Sequence, residues 1–136
     1  RGNMKYRLSF ADLNLLNEDI IEVVVDAGIE MSLEMMDEYD SFLSNHFDCN
    51  FGLLINRVHQ YSYSYEVQLS IASHKNLKAI GVVNYSEQSK KSTGKIKKLR
   101  AIDGWNLAEF SGLEMGWQKG LAWLQRELKG LKFHPN

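Results

Sequence analysis

The residues best suited to chemistry crowd into one segment of this chain, where His59-Gln60-Tyr61-Ser62-Tyr63-Ser64-Tyr65 follows an apolar run and opens a helix. Unpaired N–H groups and the helix dipole at such a start favour an anion. Arg57 and His59 add positive charge, and the tyrosines offer ring faces and phenolic hydrogen bonds. Open α/β sheets bind ligands beyond the C-terminal ends of their strands, which is where this segment falls. Arg57, His59, Tyr61, Ser62, Tyr63 and Ser64 are therefore the candidate ligand- or partner-binding residues, displayed on a turn at the rim of the sheet. A plainer reading stands beside it: Ser64 is the N-cap, and the alternating tyrosines pack against neighbouring helices. Ser62 and Ser64 are also candidate phosphorylation sites, because a phosphate there would gain from the helix N-terminus.

The remaining chemistry-bearing residues point elsewhere. Lys90, Lys91, Lys95, Lys97, Lys98 and Arg100 follow one another without an intervening acid, and Lys91, Lys95 and Lys98 share a helix face. Nucleic-acid proteins set such patches against phosphates, but no aromatic residue interleaves these to stack bases. A solvated face is expected, or one that meets an acidic protein, including the Glu34–Asp40 surface of a second copy; no nucleic-acid partner is expected. The 4 histidines lack companions at metal-ligand spacing, so no metal site is expected. Neither a Gly-x-Ser-x-Gly elbow nor a glycine-rich phosphate loop occurs. Carboxylate pairs such as Asp37 and Glu38 sit on a helix surface with nothing to raise one of them into general-acid range. Hence no catalytic residue, no cofactor and no enzyme activity are expected. The single cysteine, Cys49, precedes an apolar strand and reads as a small buried hydrophobe; a lone thiol suits a reducing compartment.

Alternating strand-like and helix-like periodicities supply the elements that would position these residues. Tyr6–Leu15 and Asp19–Ala27 read as a hairpin joined near Leu16-Asn17-Glu18. Ser32 caps a helix to about Phe47, with Met35, Met36, Tyr39, Phe42 and Leu43 at helical spacing. Phe51–Asn56 is a central strand; a helix from Tyr65 to His74, a strand from Leu77 to Tyr85 and the basic helix Glu87–Leu99 follow. After the Asp103-Gly104 turn comes a strand, Trp105–Phe110, and then a final helix opened by the capping box Ser111-Gly112-Leu113-Glu114. Leu113, Trp117, Leu121, Leu124 and Leu128 form its apolar stripe, and Gly130 is its C-cap. Gly116 and Gly120 cost helix propensity, so their spacing predicts a close approach of another element. The fold class is α/β, a single mixed sheet of about five strands in the order β-β-α-β-α-β-α-β-α, with the last three strands parallel.

Five pieces stand along that order: Asp19-Ile20-Ile21-Glu22-Val23, Gly52-Leu53-Leu54-Ile55-Asn56-Arg57, Tyr61-Ser62-Tyr63-Ser64-Tyr65-Glu66, Lys78-Ala79-Ile80-Gly81-Val82-Val83 and Gly120-Leu121-Ala122-Trp123-Leu124. With the element order, they resemble the SpoIIAA-like proteins of the STAS superfamily. The resemblance implies a STAS-like domain over residues 4–130 that works as a non-catalytic regulatory or binding module through protein–protein contact. Its kinship with the lipid-binding CRAL-TRIO proteins implies an alternative, a small-molecule or lipid binder. Anti-sigma antagonists of the wider superfamily carry a phosphorylatable Ser in an Asp-Ser-x-Gly-like turn. Here no Asp precedes Ser62 or Ser64 and no Gly follows either.

Composition is compatible with one domain: 136 residues, 44% hydrophobic and 24% charged, are enough for a packed core. Residues 1–3 read as a cloning remnant and residues 131–136, with the lone Pro135, as a tail. No run approaches the roughly 18 apolar residues that a membrane span needs, and no leader-like pattern opens the chain, so a cytoplasmic location is expected. Charge is unevenly spread: residues 1–50 hold 11 acids and 3 bases, a net −8, and the remainder hold 6 acids and 13 bases, a net +7. Such polarity suits a protein partner or a head-to-tail homodimer, the alternative partner being a small apolar ligand.

Overall fold

Strand parity sets the two faces of the molecule. Along β5 (Phe51–Arg57), Phe51, Leu53 and Ile55 join one apolar cluster, whereas Leu54 joins another and Gly52 lies against Leu124. A computed structural model describes residues 4–133. Before β5 come β1 (Met4–Arg7), β2 (Ala11–Asn17), β3 (Ile20–Val25), β4 (Glu30–Met31) and α1 (Leu33–His46). After it come β6 (Ser62–Tyr63), α2 (Tyr65–Ser70), β7 (Leu77–Asn84), α3 (Glu87–Leu99), β8 (Leu107–Ser111) and α4 (Gly116–Phe133).

These elements form an α/β fold around a mixed sheet of six strands in the order β1-β2-β3-β5-β7-β8. The first three pair antiparallel, and β3, β5, β7 and β8 run parallel, as expected where helices connect successive strands. α1 and α2 pack Met36, Tyr39, Leu43 and Val67 onto one face of the sheet, above Leu13, Ile21, Val23, Phe51 and Leu53. α4 alone covers the other face, setting Leu124 and Leu128 on Ile20, Leu54, Ala79 and Val83. β4 and β6 make a separate two-stranded parallel pair beside α2.

Local signals hold where the chemistry is local. Ser32 accepts from the Met35 amide at the start of α1, Ser64 accepts from the Val67 amide at the start of α2, and α3 spans the expected residues. Gly120 is close-packed as its spacing predicts: a Cβ there would stand 2.9 Å from Leu54 Cδ1 and 3.3 Å from the Phe110 ring. At Gly116 the same atom would collide with the Ser111 carbonyl.

Several expectations are corrected. Tyr6–Leu15 is two strands, because the chain turns at Leu8–Phe10, where the Leu8 amide donates to the Ala11 carbonyl and both Leu8 and Phe10 turn into the core. The sheet therefore has six strands, in keeping with the expected single mixed sheet of about five. The helix expected to reach His74 stops at Ser70, and the strand expected over Trp105–Phe110 is Leu107–Ser111. Ser111 opens a 3-10 turn over Gly112–Glu114 by accepting from the Leu113 amide, and Met115, at φ 62°, ends that turn before α4 begins. Leu113 consequently lies outside the apolar stripe, 80% exposed. α4 runs through Gly130, so that glycine caps nothing. Cys49 is exposed, not buried. Residues 1–3 and Pro135 lie outside the described residues.

Candidate functional site

Arg57 ends β5 in parity with Leu53 and Ile55, so its side chain enters the layer between the sheet and the helices. It is 3% exposed. Its guanidinium carbon lies 4.5 Å from the Tyr61 ring centroid and 5.5 Å from that of Tyr63, a cation–π cradle. Nη1 donates to Ser92 Oγ and Thr93 Oγ1 and Nη2 to the Tyr61 carbonyl, each at 3.3 Å. These distances lie beyond the 2.7–3.2 Å range of ordinary N–H···O bonds. Nε is buried with no acceptor. None of the ion pairs among the described residues includes Arg57. Thr93 Oγ1 leads on to Asn84 Oδ1, and Asn84 Nδ2 donates to Glu109, but that carboxylate already pairs with Lys97.

The tyrosines are held by the small β4–β6 pair. The Ser62 amide donates to the Ile29 carbonyl and the Ser64 amide to the Met31 carbonyl, which swings Tyr61 under the layer. Tyr61 is 9% exposed, and its hydroxyl meets that of the half-buried Tyr63 at 3.1 Å. Burial pushes the Tyr61 phenol well above its ordinary range, and the neighbouring Tyr63 adds to this. Burial likewise raises the Tyr39 phenol.

Arg57 faces a cavity of about 60 Å³ between the sheet and the α1–α3 layer. Ile55, Val82 and Leu107 floor it, Tyr39, Tyr63, Thr93 and Ile96 wall it, and Ile71, Ala72 and Trp105 stand at its edge. Arg100 fastens that edge: Nη1 donates to the carbonyls of Gln68 and Ile71, Nη2 donates to Ser73 Oγ, and the guanidinium lies 4.7 Å from the Trp105 ring centroid. Ala72, at φ 62°, holds a backbone conformation that side chains other than glycine seldom adopt. Such a volume holds about four water-sized spheres and suits a group of a few heavy atoms, not an acyl chain. A wider groove, about 360 Å³, opens at the ends of β7 and β8 among Tyr85, Ser86, Glu87, Lys90, Glu109 and Phe110. Arg57 takes no part in it.

The six expected residues therefore divide. Arg57, Tyr61 and Tyr63 come together, but inside the molecule; the expectation of an exposed recognition turn is corrected for Arg57 and Tyr61. Parity explains it: a residue two beyond Ile55 on the same strand shares its inward face. His59 and Ser62 are exposed and stand apart from this cluster, and the Ser64 hydroxyl is engaged as the α2 cap. Tyr39, Thr93 and Trp105, absent from the expected set, line the cavity because α1, α3 and the loop before β8 converge on it. The sequence signal that points to Arg57 is its place in the alternation Phe51, Leu53, Ile55, Arg57. Trp105 and Thr93 carry no such signal.

The other face of the sheet holds a second buried charge. Glu22, 7% exposed, accepts from Asn14 Nδ2, Asn56 Nδ2 and Trp117 Nε1 at 2.8–2.9 Å. Its carboxylate is well satisfied. Among the described residues no helix is long and apolar enough to cross a membrane. Comparison with family models, curated proteins and solved structures finds no match for the chain.

Proposed function

We propose that this chain is a non-catalytic, STAS-like binding module of the cytoplasm that holds a small, largely apolar ligand in the cavity between α1, α3 and the sheet. The observation that carries the reading is an apolar cavity, open on one side, between α1, α3 and the sheet, with aromatic rings from three separate elements in its lining. Protein interiors pack to crystal-like density, so an apolar cavity with aromatic rings in its lining stands out; at about 60 Å³ it suits a fragment rather than the larger ligands that fill pockets of roughly 300–1,000 Å³. A role in binding rather than catalysis agrees with the positions of the histidines: His46 meets Tyr6, His74 meets Ser44, and His59 is exposed. The 60 Å³ volume favours a small molecule over a lipid.

Benzene tests this, because dry apolar cavities take it up and the open side of this one leaves room beyond its 60 Å³. Titration should raise the thermal midpoint of the chain and shift the Trp105 indole N–H resonance to saturation. Val82→Phe, which fills the cavity floor, should abolish both effects while leaving the circular dichroism spectrum intact. A midpoint and a resonance indifferent to benzene would remove the reading.

A second reading, contact with another protein or another copy, has its own support. α1 exposes Glu34, Asp37 and Asp40, while α3 exposes Lys90, Lys91, Lys95 and Lys98. The two helices flank α2 on the same layer, so opposite charges sit at its two ends.

A further inference from the structure

We infer that the ligand of this cavity is a small organic anion, a carboxylate on a short apolar body, and that Arg57 holds its acid group. The inference rests on the cavity-binding reading above and specifies its chemistry.

Arginine stays protonated at any pH the protein meets, so the buried side chain carries a full positive charge. An unpaired buried charge is strongly unfavourable, and proteins answer it with a counter-charge and a complete set of hydrogen bonds. Arg57 has neither. Its partners are two hydroxyls, a carbonyl and two aromatic faces, and the Nε–H is without an acceptor. Glu22, buried to a similar degree across the sheet, shows the contrast: three donors close around it. The unanswered donor on Arg57 belongs to a side chain that lines an apolar space. A carboxylate there would supply both the missing acceptor and the missing charge, since Nε–H is one donor of the guanidinium's side-on fork. The aliphatic floor of Ile55, Val82 and Leu107 then selects an apolar body over a bare inorganic ion.

Isobutyrate and benzoate, set against isobutyramide and benzamide, separate charge from shape. Isothermal titration of the wild-type chain should give the acids at least tenfold tighter binding than their amides, and inorganic phosphate should bind more weakly than either acid. In a ¹H–¹⁵N spectrum the Arg57 Nε–H resonance should move with the acids and stay still with the amides, a readout that needs no variant. Arg57→Met should bind acid and amide equally, and Arg57→Lys, which keeps the charge but loses the fork, should fall between. Amides that bind as tightly as acids would overturn the anion while leaving the cavity reading intact. If neither binds and benzene also fails, both fall. Phosphate as tight as benzoate would overturn the apolar body.

Discussion

Asp26 and Glu38 carry the acid-sensitive contacts of this molecule. Arg7 forks onto Asp26 through Nη1 at 2.9 Å and Nη2 at 2.5 Å, and those hydrogen bonds hold the Asp26 carboxyl below its ordinary range. Glu38 accepts from both the hydroxyl and the amide of Ser9, which lowers its carboxyl in the same way and ties the β1–β2 turn to α1. A carboxylate whose folded pKa is depressed contributes stability above its unfolded value, about 4, and that contribution is lost as pH falls through the folded value. Urea midpoints should therefore decline as pH drops below about 5. The double variant Asp26→Asn, Glu38→Gln should show a shallower decline, measured from pH 7 to pH 3. An unchanged slope would show that other groups carry the acid response. The two buried charged residues, Glu22 and Arg57, differ from this pair. Their surroundings come from strands and helices far apart in the chain, Trp117 reaching Glu22 across 95 positions.

Elements in this fold are specified by contact as much as by propensity, and its glycines separate the two effects. Gly94 lies inside α3 with nothing within 4 Å of where a Cβ would sit. Gly94→Ala should then raise stability by about 0.5–1 kcal/mol, the ordinary helix gain. Gly120 sits in α4, a better-packed helix, where the added methyl would meet Leu54 and Phe110. Gly120→Ala should lose more through that clash than propensity returns, because close-packed cores yield little to an added carbon. Thermal midpoints of the two variants should move in opposite directions; a gain in both would mean that the α4 interface can relax. Cap signals were legible in the same local way. Ser32 and Ser64 each need only an amide three residues on, so a short stretch of chain reveals them. The turn at Leu8–Phe10 was not legible: no glycine, proline or asparagine marks it, and it forms because Leu8 and Phe10 find room in the core.

At the level of the whole molecule, α1 and α3 place opposite charges on the two flanks of one helical layer. A second copy docked head to tail would bring acid against base without any new apolar surface. Such contact should appear in sedimentation velocity as a concentration-dependent rise in mass at low salt. It should vanish near about 0.5 M salt, where screening lengths fall to a few ångströms. Lys91→Glu with Lys95→Glu should abolish it even at low salt. A mass that ignores both salt and the charge reversals would sink the head-to-tail contact.

Apolar alternation, caps and helical periodicity already dictated most elements, their order and the α/β sheet, because each depends on residues within a turn or two of one another. Alternation even assigned Arg57 to the inner face, had it been followed past Ile55. What three dimensions added was coverage: which face receives three helices, which receives one, and where their side chains fail to meet. The cavity, and the unanswered charge on its wall, exist only where β5, β7, β8 and the α1–α3 layer come together. Burial is a property of that assembly, since a side chain loses water only when distant parts of the chain close over it.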